Sequence, residues 1–219
     1  MNSRSAALVI LVAGAALAAA PGASKHVNKW APPPTTIEYT RVNYAGPLPL
    51  PDVPSRDDWV GPTPDGNRML YDVTSWELYE GAIPRTAERA TVFYGPQGYG
   101  YLGTWSEEGV YETWDVPMVV LPPKPKVGAT WSATHTKNGV VSERSCEIMA
   151  SDLCTDGIVS VCDSKRAEGR IILRDHFCPN VGWSGFEAMI VVGENPPVRM
   201  WTTGVVRDGV ALPEPPPRD

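Results

Sequence analysis

The chain is short of almost everything that marks a nucleic-acid binder, a membrane protein or a metal centre. Its 219 residues carry 19 Lys and Arg against 25 Asp and Glu, a net charge of −6, and no basic run that could track phosphates. Beyond the amino terminus no stretch approaches the ~18 uninterrupted apolar residues of a spanning helix. Histidine occurs three times, as His26, His135 and His176, and cysteine four times. Those cysteines lack the close C-x-x-C pairs of a zinc site. Asp152 and Asp156 stand four apart, which is not the spacing of a calcium loop. The glycine-rich stretch Tyr94–Gly103 has no Lys-Ser or Lys-Thr after it and opens no helix, so it reads as a tyrosine-bearing hairpin rather than a phosphate loop. Nucleic acid, a metal, a cofactor and a membrane span in the mature chain are therefore not expected. With 42% apolar and 20% charged residues, collagen, coiled coil and wholesale disorder are excluded too.

What the chain has in excess is proline (23) and glycine (20), a composition that disfavours long helices and favours short strands joined by turns. An all-β fold follows, with antiparallel strands in a meander that closes into a barrel, half-barrel or sandwich. Residues 1–18 read as a signal peptide: Arg4 supplies the positive region, Ala6–Ala18 the apolar core, and Ala16-Leu17-Ala18 an A-x-A cleavage site. Removing them deletes Arg4 alone among charged residues and leaves a net charge of −7. The mature protein is expected to be secreted or periplasmic.

Residues 19–64 hold ten prolines, including Pro32-Pro33-Pro34, and predict an extended segment mostly without regular structure. Thr36–Val42 alternates apolar and polar residues and could add a strand or belong to a linker. The β-domain is placed at 65–207, and 208–219 is read as a proline-rich tail. Ten strands are predicted: 68–76, 88–94, 99–105, 110–114, 129–136, 140–150, 157–163, 170–178, 185–192 and 199–207. Asn138-Gly139 is the strongest hairpin signal, and Asp65-Gly66, Asp156-Gly157 and Asp208-Gly209 mark further strand ends.

Cys146, Cys154, Cys162 and Cys178 in an exported chain predict two disulfides. If 140–150 pairs with 157–163 about residue 154, facing positions sum to 308, as 146 and 162 do. If the next hairpin turns at 165–168, facing positions sum to about 333, close to 154 with 178. Bridgeable Cα atoms lie within ~7 Å, so the expected pairs are Cys146 with Cys162 and Cys154 with Cys178.

No catalytic constellation is visible. Gly182-Trp183-Ser184-Gly185 fails as a nucleophile elbow because its second glycine comes one residue early. His135 and His176 remain the only candidate bases. Eight tryptophans sit in or beside predicted strands. Core packing explains most of them, and Trp105, Trp114, Trp131 and Trp183 are the candidates to line an apolar cavity.

Three segments carry a likeness: Pro64-Asp65-Gly66-Asn67-Arg68-Met69-Leu70-Tyr71-Asp72-Val73, Leu121–Trp131, and His176-Phe177-Cys178-Pro179-Asn180-Val181-Gly182-Trp183. In their order they resemble a group of exported bacterial β-proteins, largely of unassigned function, with P-x-x-G-N-x-W-x-Y, L-P-x-x-V-G-x-x-W and Y-A-P-G-V-G motifs. Met69 stands where that group has tryptophan, and Asn180 where it has glycine. The resemblance implies an antiparallel β architecture in the cell envelope and transfers no catalytic residue. The leading functional expectation is a non-enzymatic domain that binds an apolar small molecule, a lipid or an envelope protein. The rivals are a hydrolase in which His135 or His176 meets an aspartate, and a structural envelope component.

Overall fold

The computed structural model describes residues 29–79, 82–106, 108–137, 139–167 and 169–212. The signal segment 1–18, His26, Asn138 and the end of the tail lie outside them. The fold is all β. Its strands are β1 (Thr36–Ala45), β2 (Leu48–Asp65), β3 (Arg68–Glu77), β4 (Arg85–Gly95), β5 (Gly98–Trp105) and β6 (Tyr111–Leu121). There follow β7 (Thr130–Lys137), β8 (Val140–Ala150), β9 (Ile158–Arg166), β10 (Gly169–Cys178), β11 (Gly182–Val192), β12 (Val198–Arg207) and the short β13 (Val210–Ala211). All ten strands expected from alternation are present, with β6 running on to Leu121.

The order in the sheet is β6-β5-β4-β3-β2-β1-β12-β11-β10-β9-β8-β7, with antiparallel pairing between neighbours and β13 added beside β12. Two six-strand meanders are thus joined through β1 and β12, and the sheet curls into an almost closed barrel. Only β6 and β7 remain to meet, and they lie side by side.

The proline-rich segment requires a correction. The sheet begins at Thr36, and β1 and β2 form a long hairpin, closed by Ala45 and Leu48 around Gly46-Pro47. The prolines fit because of where they fall. Next to a two-residue turn the closing pair exchanges hydrogen bonds and the following pair does not. Pro49 and Pro64 each occupy that second position, opposite Tyr44 and Met69. Their missing N–H faces outward, and there β2 has one neighbour only, since it pairs with β1 up to Asp58 and with β3 from Ser55. Pro62 sits in a register shift between Val60 and Thr63. The tail also differs from expectation: Arg207 and Val210 close a hairpin over Asp208 and Gly209, both at positive φ, and so create β13.

Residues 29–35 stop up one end of the barrel. Trp30 and Ala31 are buried in the same cluster as Tyr71, Tyr94, Tyr99 and Phe177. The plug is tied by Asn180 N–H donating to the Lys29 carbonyl (2.7 Å), by Arg207 donating to the Pro32 carbonyl, and by Asp208 Oδ1 accepting from Thr35 N–H (2.8 Å) and Thr36 N–H (2.9 Å). Gly182 makes room for that arginine, because any Cβ there would collide with its guanidinium.

The disulfides join Cys146 to Cys162 (Cα–Cα 4.1 Å) and Cys154 to Cys178 (6.0 Å). The first pair faces across β8 and β9 in the expected register. The second does not arise from register. Positions across β9 and β10 sum to 335, as with Cys162 and Leu173, and Cys154 belongs to the 151–157 connection. That bridge fastens the connection to the end of β10.

Candidate functional site

Twelve strands enclose more room than the eight whose inward side chains just fill a barrel. Here the surplus is a cavity of about 950 Å³. Its floor is aromatic: Tyr94, Tyr99 and Phe177 are buried in the core cluster beneath it. Tyr94 and Tyr99 flank the Gly95–Gly98 closing pair of the glycine-rich hairpin, so that stretch delivers the floor. Trp59, Trp183 and Phe186 stand on the walls. At the rim are the exposed Arg85, Glu88 and Arg89, with Trp105 under the Arg89 guanidinium (4.6 Å to the ring centroid).

The walls are also charged, which the sequence reading did not anticipate. Val53, Ser55, Asp57 and Trp59 alternate along β2, and the last two line the cavity. Burial pushes the Asp57 carboxyl up to about 6, although Ser75 and Tyr39 hydrogen-bond to it and oppose the shift. Tyr39 Oη donates to Asp57 Oδ1 (3.3 Å), and its own ionisation is pushed up by burial and by that carboxylate. Burial likewise raises Asp175, against the Trp183 Nε1 hydrogen bond (3.0 Å) and the attraction of Arg144. Glu77 behaves oppositely. Burial alone would raise it, but hydrogen bonds from Arg85 and Arg41 hold it below the usual carboxylate range. Among the described residues that line this cavity, two buried donors have no partner: Trp59 Nε1 and Arg41 Nε.

Of the four tryptophans proposed from sequence, Trp105 and Trp183 line this cavity. Trp131 lines a second, smaller pocket and donates through Nε1 to the Val119 carbonyl (3.3 Å). Trp114 is among the lining residues of neither, and Lys137 lies over its ring (5.2 Å). Trp59 was missed because β2 was not read as a strand.

The histidines diverge. His135 meets a backbone carbonyl rather than a carboxylate, with Nδ1 3.1 Å from the Val116 oxygen. His176 does meet an acid, but a glutamate: Nε2 is 3.1 Å from Glu187 Oε1, and Nδ1 is 2.9 Å from Ser151 Oγ. Asp175 and Phe177 face the cavity, so His176 between them points to the outer face, where the 151–157 connection covers it to 4% exposure. Ser151 Oγ also accepts the Leu153 N–H (3.3 Å), and Glu187 is shared with Arg174 (3.5 Å). Ser184, of the rejected elbow, is fully buried and donates to the Gly182 carbonyl.

Among the described residues no group of His, Cys, Asp and Glu could hold a metal ion, and no helix is long and apolar enough to cross a membrane. No protein-family model, curated protein or solved structure matches the chain.

Proposed function

We propose that this chain is an exported binding protein that takes a small amphipathic molecule into its barrel and performs no chemistry on it. The observation that carries the reading is the cavity itself: a volume near the top of the ~300–1,000 Å³ range of small-molecule sites, aromatic below and polar above. Its lining modifies the apolar ligand expected from the tryptophans. A wholly apolar guest would leave Trp59 Nε1 and Arg41 Nε stranded, at ~1–3 kcal/mol for each polar group without a partner. The guest therefore combines a ring or short chain for the Tyr94–Tyr99–Phe177 floor with hydroxyl or carbonyl oxygens that accept from Trp59 Nε1 and Arg41 Nε. Two disulfides and the amino-terminal signal agree with maturation in the periplasm or outside the cell. The almost closed ring leaves little free strand edge, which weighs against a component that assembles edge to edge.

Native mass spectrometry of the protein purified from the envelope tests this. The expected result is the mature chain carrying a discrete small-molecule increment. Ala87 lines the cavity at its exposed rim, so Ala87→Trp should abolish the increment without loss of fold. An unliganded wild-type protein, or an increment untouched by that substitution, would overturn the reading.

The Ser151–His176–Glu187 relay favours a second reading, a serine hydrolase. Covalent labelling of Ser151 by a fluorophosphonate, lost in Ser151→Ala, would establish it. Its cover by the 151–157 connection fits a pin that holds the connection against the barrel.

A further inference from the structure

The second pocket, about 340 Å³, lies where β6 and β7 meet, apart from the barrel cavity. Val116, Pro117, Val119, Pro122, Pro123 and Trp131 give it an apolar wall. Four polar side chains also line it, Gln97, Ser132, His135 and Arg144, and the last two each keep a buried atom without a partner. Arg144, 5% exposed on β8, spends Nε on the Cys146 sulfur (3.3 Å) and leaves Nη2 buried without a partner. His135, 4% exposed on β7, gives Nδ1–H to the Val116 carbonyl and leaves Nε2 buried without a partner.

A guanidinium so buried is normally matched by a carboxylate, because an unpaired charge in a low-dielectric site is costly. The pocket lining includes no acidic residue. Asp175 attracts Arg144 electrostatically, but among the described residues the two form no ion pair within 4 Å. Burial accordingly pulls the Arg144 pKa down. Among the described residues the site thus has a cation with no ion-pair partner within 4 Å, a ring nitrogen without a donor, and an indole beside them.

We propose that this pocket is a binding site for a small aromatic or aliphatic carboxylate, whose anion pairs with Arg144 and whose apolar body lies against Trp131 and the Pro122-Pro123 wall. With Nδ1–H committed to Val116, the Nδ1–H tautomer of His135 leaves Nε2 as an acceptor. A hydroxyl next to the carboxylate satisfies it. The class is therefore a small hydrophobic acid, bound best as its 2-hydroxy form. This site stands independently of the barrel cavity and its ligand.

Thermal denaturation of the full mature protein tests it, with phenylacetate, mandelate and the uncharged 2-phenylethanol as probes. Mandelate should raise the midpoint saturably by ~3 °C or more, phenylacetate by less, and phenylethanol not at all. Arg144→Met should abolish the response to both acids. It should also raise the midpoint of the unliganded protein, because it removes an unpaired buried charge. His135→Phe should bring mandelate down to the phenylacetate level. No shift with either acid, a shift of equal size with phenylethanol, or an unchanged response in Arg144→Met would overturn the proposal. A large loss of stability in unliganded Arg144→Met would overturn it too, by showing that the arginine is already paired within the fold.

Discussion

The barrel has two junctions, and they are built differently. Between β1 and β12, whose residues stand about 160 positions apart, the strands pair from Ile37–Arg207 to Ala45–Val198 with one register shift. Between β6 and β7, joined by eight residues, no ladder pairing forms among the described residues. Side chains do the stitching there. Trp131 reaches the Val119 carbonyl, Ser160 the Val120 carbonyl (2.7 Å), and His135 the Val116 carbonyl. Thr136 N–H donates to Asp115 Oδ1 (2.6 Å), and Lys137 pairs with Glu112 (3.0 Å). Proximity in sequence did not decide which junction zipped. The link from β6 to β7 contains Pro122, Pro123 and Pro125, which cannot make a tight hairpin, and Ala129 turns to β8 instead by accepting the Ile148 N–H.

The comparison is broken most directly at the zipped junction. Arg199 is exposed and pairs with Tyr44 on one side and Met189 on the other, so its N–H serves one of the two ladders. Arg199→Pro removes that donor from a doubly flanked strand and should cost ~3 kcal/mol or more. A denaturant midpoint that falls steeply, with loss of near-ultraviolet circular dichroism, is the expected outcome. A midpoint close to wild type would mean that the β1–β12 pairing does not carry closure.

Much of this architecture is legible in the sequence, because alternation and turn residues are local signals. Val140–Ala150 reads as β8 from its own eleven residues, and counting across the turn places Cys146 opposite Cys162. Hidden features depend on partners far away in the chain. β2 is masked by prolines whose harmlessness shows only once its neighbours are known to overlap by a few residues. The β6–β7 gap follows from β1 finding β12, which no local pattern announces. The charged wall lies between these cases: Asp57 stands two residues from Trp59, and the alternation would have placed it inward had β2 been read as a strand. Ser151, His176 and Glu187 meet only because the Cys154–Cys178 bridge and the strand pairing bring three segments together.

The stitched junction can be probed one bond at a time. Ser160 is fully buried, and its hydroxyl donates to the Val120 carbonyl. Ser160→Ala leaves that carbonyl facing a methyl group and should cost ~1–3 kcal/mol. The value matters for the comparison. A cost near the upper figure means that the side-chain stitches replace much of what a ladder would contribute, whereas an effect below ~0.5 kcal/mol would mean that β6 is held from the β5 side alone.

The smallest single effect is expected at Trp131, and it decides whether the stitches act together. Trp131→Phe keeps an aromatic ring in the half-buried pocket wall and removes only the Nε1–Val119 bond, for ~0.5–1.5 kcal/mol. Val119 and Val120 are successive residues of β6, held by side chains of β7 and β9. Bonds to neighbouring backbone groups share whatever motion their loss allows, so the two substitutions should not be independent. If losing one stitch lets β6 swing away, the second has less left to lose, and Ser160→Ala with Trp131→Phe together should cost less than the sum by ~0.5 kcal/mol or more. Strict additivity in the denaturant midpoints of the four proteins would show instead that each stitch holds its own carbonyl and nothing further. In that case the zipped junction alone makes the barrel a cooperative unit.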